Sequence, residues 1–137
     1  MNVLVVEPGH LPYEKEVPDE LECLQAIVGG RIEAIYPFED HVALVCNADR
    51  DGERLEFNRT ITERQYGGIF GTFFICGLGA ESFASLTPEQ VKTYKKRFQK
   101  AETILAVSKG NPIIARVDAI PKRPTDKPKR PPKTPKR

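Results

Sequence analysis

The sequence predicts an α+β domain: a small mixed or antiparallel sheet packed by two helices, followed by a disordered, basic, proline-rich tail. Three observations carry that expectation. Short β-branched and aromatic runs alternate with Gly, Pro and Asn/Asp turn signals, and only two stretches join helix-start chemistry to apolar residues at helical spacing. The last seventeen residues hold six prolines and no other apolar side chain, so they cannot offset the entropy of ordering. The domain is placed at residues 1–118 and the tail at 119–137.

The elements follow in order. Val3-Leu4-Val5-Val6 reads as a strand stopped by Pro8-Gly9. Tyr13–Val17 alternates with charges, as an exposed edge strand does. Pro18-Asp19-Glu20 opens a helix with Leu21, Leu24, Ile27 and Val28 at helical spacing, and Gly29-Gly30 closes it. Arg31–Phe38 and His41–Cys46 are two strands joined through Glu39-Asp40. The polar stretch Asn47–Gly52 turns the chain into Arg54–Phe57; it lies between strands, so it is read as a solvated hairpin and not as a calcium loop. After a polar region reaching Gly67-Gly68, Ile69–Cys76 is the most apolar run and the expected central strand, with Gly71 marking a bulge or a close backbone approach. Thr87-Pro88-x-Gln90 supplies an N-cap, a proline at the first helical position and a capping box, with Val91, Tyr94 and Phe98 as the buried stripe. Thr103–Val107 and Pro112–Val117 flank Ser108-Lys109-Gly110-Asn111; a hairpin and a helix extension followed by one strand both fit.

The net charge of +2 conceals a gradient. Residues 1–90 carry −10, residues 91–120 carry +5, and Pro121–Arg137 carries +7. Segments therefore say more about partners than the whole chain does. The acidic front (Glu14, Glu16, Glu20, Glu22) suits a basic protein partner. The helix face with Lys92, Lys95, Lys96, Arg97 and Lys100, together with Lys129 and Arg130 of the tail, suits nucleic acid.

Much chemistry is missing. There is no Walker loop, Rossmann fingerprint, H-E-x-x-H or G-x-S-x-G. Gly77-Leu78-Gly79-Ala80 is only a fragment of a phosphate-binding pattern. Cys23, Cys46 and Cys76 are odd in number and widely spaced, which reads as buried reduced thiols. Two histidines thirty-one positions apart give no metal site. No cofactor and no enzymatic activity are expected. No apolar run reaches about 18 residues, so no membrane helix is expected; the Asn2–Val6 stretch is too short for a signal peptide and the expected location is cytoplasmic. One polar cluster at strand ends remains: Glu33, Asn58, Arg59 and Thr72. Either Arg59 pairs with Glu33 structurally, or Arg59 and Asn58 hold a carboxylate, a phosphate or a nucleotide-like ligand.

Taken together, Val3-Leu4-Val5-Val6-Glu7-Pro8, Leu24-x-x-x-Val28-Gly29-Gly30-x-Ile32-Glu33, Cys46-Asn47, Asn58-Arg59 and Ile69-x-Gly71-Thr72-Phe73-Phe74-Ile75 resemble the bacterial and phage family called domain of unknown function 3846. Ser85-Leu86-Thr87-x-Glu89-Gln90 with Tyr94 and Phe98 is similar to that family's closing helix. The resemblance spans about residues 1–100 and implies a setting: phages, plasmids and conjugative elements, whose small accessory proteins often counter host defences. The resulting expectation is a non-enzymatic binding protein of a mobile element, working in the host cytoplasm if phage-encoded, that blocks a host defence or nucleic-acid-binding protein through its acidic surface. Sequestration of a small nucleotide-like ligand, and nucleic-acid binding through the basic helix and tail, are the alternatives. A homo-oligomer is left open.

Overall fold

The computed structural model describes residues 1–49 and 55–121. The turn expected over Asn47–Gly52 therefore falls partly outside the described residues; of the tail placed at 119–137 only residues 119–121 are described, with Ile120 hydrogen-bonded to Gly9 and Leu11, and Lys129 and Arg130 fall outside.

The main sheet is built from β1 (Asn2–Val6), β2 (Tyr13–Glu16), β3 (Ile32–Ile35), β4 (Val42–Asn47), β7 (Phe73–Leu78) and the short β8 (Phe83–Ala84). Its order is β2-β1-β7-β4-β3, with β8 pairing the end of β7, and every pairing is antiparallel. Two further two-stranded sheets complete the described chain: β5 (Phe57–Ile61) with β6 (Gly67–Phe70), and β9 (Lys100–Ser108) with β10 (Asn111–Asp118). The helices are α1 (Leu21–Val28) and α2 (Pro88–Arg97).

Side chains of the central strands alternate between two buried layers. Val3, Val5, Ala43, Val45, Phe74 and Cys76 face α1 through Leu24 and Val28. Leu4, Val6, Val42, Leu44, Cys46, Phe73 and Ile75 face the other way, toward Val91, Tyr94 and Phe98 together with Ile61 and Ile69 of the β5–β6 hairpin. Covered on both sides, β1, β4 and β7 read as unbroken apolar runs, as strands buried on both faces do.

The α+β expectation is overturned. The described residues are mostly antiparallel β-sheet, 47% of them strand against 18% helix, and a two-helix wrapping describes the domain poorly because α2 shares its layer with the β5–β6 hairpin. Two misread segments account for the difference. Phe57–Ile61 is a strand although Asn58 and Arg59 lie at its centre, because both polar groups find partners inside the protein. The run Ile69–Cys76 is two strands in two sheets, broken where Gly71 takes φ 82°. Only β7, between β1 and β4, is central.

The local signals elsewhere describe what is found. β2 lies at the sheet's edge. Gly29 caps α1 in the left-handed conformation, φ 81°. Thr87 Oγ1 accepts the Gln90 amide at 3.1 Å while Gln90 Oε1 accepts the Thr87 amide at 2.9 Å. Leu21 is the exception in α1, left 54% exposed. The segment after α2 is the hairpin, turning through Lys109 and Gly110, both at positive φ.

Candidate functional site

Asn58 and Arg59 are fully buried. Asn58 Nδ2 donates to the Val6 carbonyl at 2.9 Å and to the Gly71 carbonyl at 2.8 Å, which ties β5 to β1 and to the corner before β7. Its Oδ1 accepts Arg59 Nη1 at 2.8 Å. Arg59 Nη2 donates to the carbonyls of His10 at 2.7 Å and Phe98 at 2.9 Å. The guanidinium thus joins the loop after β1, strand β5 and the end of α2. Burial draws Arg59 down to about 10, with the charge of Glu102 opposing that fall, so it stays a cation at neutral pH. Arg59 Nε and Thr60 Oγ1 are buried without a hydrogen-bond partner among the described residues.

The hydrogen bonds of Arg59 do not go to Glu33, which lies on β3 opposite Cys46. Thr72 is half-buried beside Gly71. Of the four polar residues singled out in the sequence, Asn58 and Arg59 are in contact, and Thr72 adjoins the carbonyl that Asn58 holds.

Glu14 and Glu16 lie on β2, Glu20 precedes α1 and Glu22 is in its first turn. Glu14 accepts Asn2 Nδ2 at 2.9 Å and Lys95 Nζ at 3.3 Å, and both hold its carboxyl below the ordinary carboxylate range. The basic residues after Pro88 are less uniform than their spacing suggests. Lys95 pairs with Glu14. Arg97 grips Glu63 with two bonds of 2.8 and 3.0 Å, donates to the Thr60 carbonyl and stacks over Phe98. Lys100 belongs to β9 and pairs with Asp118 at 2.7 Å. Lys92 and Lys96 stay exposed on α2, without an ion pair among the described residues.

A feature the sequence did not single out lies where the main sheet ends above the start of α1. There Asp19, Tyr36, His41 and the 78–83 loop line an open cleft of about 660 Å³. Glycine chemistry builds it. A Cβ on Gly77 would sit 2.5 Å from the Ser85 carbonyl oxygen, so only glycine lets β8 fold back on β7. Gly79 N–H then closes the turn on the Ser82 carbonyl at 2.7 Å. The Gly77–Ala80 run therefore shapes a tight return, and the cleft beside it presents Asp19 and Glu81, which repel a phosphate. Tyr36 and Phe83 give it aromatic walls. Its residues come from four separated segments, so only the Gly77-x-Gly79 signal could have pointed there.

No disulfide joins the three cysteines: Cys46 and Cys76 are buried and Cys23 half-buried. Burial pushes the Cys76 thiol up to about 12, with Asp19 adding to the effect. Among the described residues no three His, Cys, Asp or Glu side chains are grouped to hold a metal ion, and no helix is long and apolar enough to cross a membrane.

The fold and site define a small antiparallel β protein with an acid-lined surface cleft. The chain belongs to the family described as domain of unknown function (DUF3846), whose profile matches residues 1–99. No curated protein and no solved structure matches the chain.

Proposed function

We propose that this is a non-enzymatic binding protein that receives a basic segment of a protein partner on its acidic front. The carrying observation is the open cleft, whose lining includes the carboxylates Asp19 and Glu81 and the rings of Tyr36, Phe83 and His41. A lysine or arginine side chain is the group that such a pair recognises, through charge and through the aromatic face. Asp19 leads directly into Glu20 and Glu22, which extend the acidic surface along α1. Glu14 and Glu16 of the edge strand lie on the other face of the sheet, where Glu14 pairs with Lys95, and contribute through the −10 charge of residues 1–90, which steers a cationic partner toward the domain. Asn58 and Arg59 enter this reading as scaffold. The mobile-element setting implied by the family resemblance supplies the partner class: a basic, nucleic-acid-binding host defence protein.

The test is titration calorimetry of the full chain with a synthetic ten-residue Lys/Arg peptide at low and high salt. The peptide is expected to bind, to release with added salt, and to lose about tenfold affinity or more, roughly 1.4 kcal/mol, in the Asp19→Lys/Glu81→Lys variant. Reversing Glu14, Glu16, Glu20 and Glu22 is expected to weaken it further. Unchanged affinity in both variants would sink the proposal.

A further inference from the structure

The last described residues are tied to the chain just ahead of β2. Ile120 N–H donates to the Gly9 carbonyl, and the Ile120 carbonyl accepts the Leu11 amide, each at 2.9 Å. The bridge they make with His10 is parallel, so the chain leaving Ile120 sets out in the direction of β2. The edge it meets is open, because β2 is the outermost strand of the main sheet. Val17 N–H donates to the Met1 carbonyl at 2.9 Å and the Met1 nitrogen to the Val17 carbonyl at 2.7 Å. By the alternation of antiparallel pairs, Glu14 and Glu16 then turn their backbone N–H and C=O groups outward. Past β2 the same path reaches Asp19 at the cleft, then Glu20 and Glu22. Asp19, Glu20, Glu22 and Glu81 are exposed, and none of the four is in an ion pair among the described residues.

We propose that the chain's own C-terminal segment, Lys122–Arg137, occupies the outer edge of β2 and the acids at its far end, and so competes with the basic partner. The competition rests on the reading of the cleft as a receptor for lysine and arginine. Length fits. Leu11 and Asp19 are eight positions apart, at most about 27 Å of extended chain. A proline-rich segment advances about 3.1 Å per residue, which brings Lys127, Lys129 and Arg130 level with Asp19. Charge fits as well: Pro121–Arg137 carries +7 against −10 for residues 1–90. So does the backbone. The five prolines of the segment offer carbonyls to the outward N–H groups of Glu14 and Glu16 but no donors of their own, so the edge is covered without extending a ladder. Tethering does the rest. A segment joined to its site is held there at an effective concentration on the order of millimolar, so a contact too weak to retain a free peptide still excludes a competitor.

Hydrogen exchange and titration calorimetry of the full chain test this. Wild type is compared with a variant in which Lys122, Arg123, Lys127, Lys129 and Arg130 are all replaced by glutamine. At low salt the Glu14 and Glu16 amides are expected to exchange several-fold faster in the variant. The ten-residue Lys/Arg peptide is expected to bind the variant about tenfold more tightly, since its tethered competitor is weakened. Added salt should remove both differences. Equal exchange rates in the two chains overturn the proposal and leave the tail free for nucleic acid. A difference in exchange that grows with protein concentration also overturns it, by assigning the tail to the edge of a neighbouring molecule. If the exchange difference stands but the peptide binds neither chain, the tail contact holds and the reading of the cleft alone falls.

Discussion

Arg59 shows how far a residue's surroundings can depart from its type. An arginine in a polar triplet, Asn58-Arg59-Thr60, invites a surface or ligand-binding role, yet it is fully buried and clasps the carbonyls of His10 and Phe98. Replacing it with leucine leaves two buried carbonyls and Asn58 Oδ1 without their donor. We expect a loss of several kcal/mol, about 1–3 kcal/mol for each buried acceptor left unpaired, read as a lowered urea midpoint. Arg59→Lys is expected to recover only part of it, since a single ammonium does not reproduce the planar fork. The Glu63–Arg97 pair sets a pH dependence. Its hydrogen bonds to Arg97 hold Glu63 below the ordinary value of 4.5, so the unfolded chain binds the proton more readily than the folded one. The stabilisation is complete above 4.5 and disappears as the pH falls through the lowered value. Melting temperatures measured from roughly pH 6 down to pH 3 should therefore fall less steeply in Arg97→Gln than in the wild type.

At the scale of elements, the ends of helices were the most legible features. The capping box at Thr87 and the glycine stop of α1 depend on atoms within three or four residues, which the sequence displays directly. Thr87→Ala is expected to cost about 1 kcal/mol in denaturant unfolding. Strand boundaries were less legible. Gly71 marked an irregularity, but whether the strand bulges or breaks depends on what lies alongside. Gly71 N–H donates to the Glu56 carbonyl at 2.7 Å and the backbone turns from one sheet into the other. An alanine there would meet the Leu55 side chain at 3.3 Å and carry a positive φ. β5 was hidden for a related reason. Its polar centre looks like a loop until Val6, fifty-two residues away, supplies the acceptor for Asn58.

Across the whole molecule, the charge gradient becomes a geometric arrangement. The acidic edge strand and the basic helix are not isolated poles: Lys95 reaches Glu14, and Arg97 and Lys100 are also paired. Much of the helix's positive face is thus consumed within the domain, whereas the cleft acids Asp19 and Glu81 open outward. The described chain ends close to where the edge strand begins, since Ile120 hydrogen-bonds to the Gly9 carbonyl and to the Leu11 amide, just ahead of β2.

Local chemistry in the sequence was enough to determine the helix caps, the edge position of β2, the apolar central strands and the charge difference between residues 1–90 and Pro121–Arg137. Each of these rests on composition or on spacings of a few residues. Only the tertiary structure decided that the domain is mostly antiparallel β, that Arg59 is buried, that Gly77 bends a wall onto the cleft, and that the final hairpin projects with an apolar face uncovered. Those outcomes depend on contacts between residues dozens of positions apart, where burial and pairing partners override what any short segment prefers by itself.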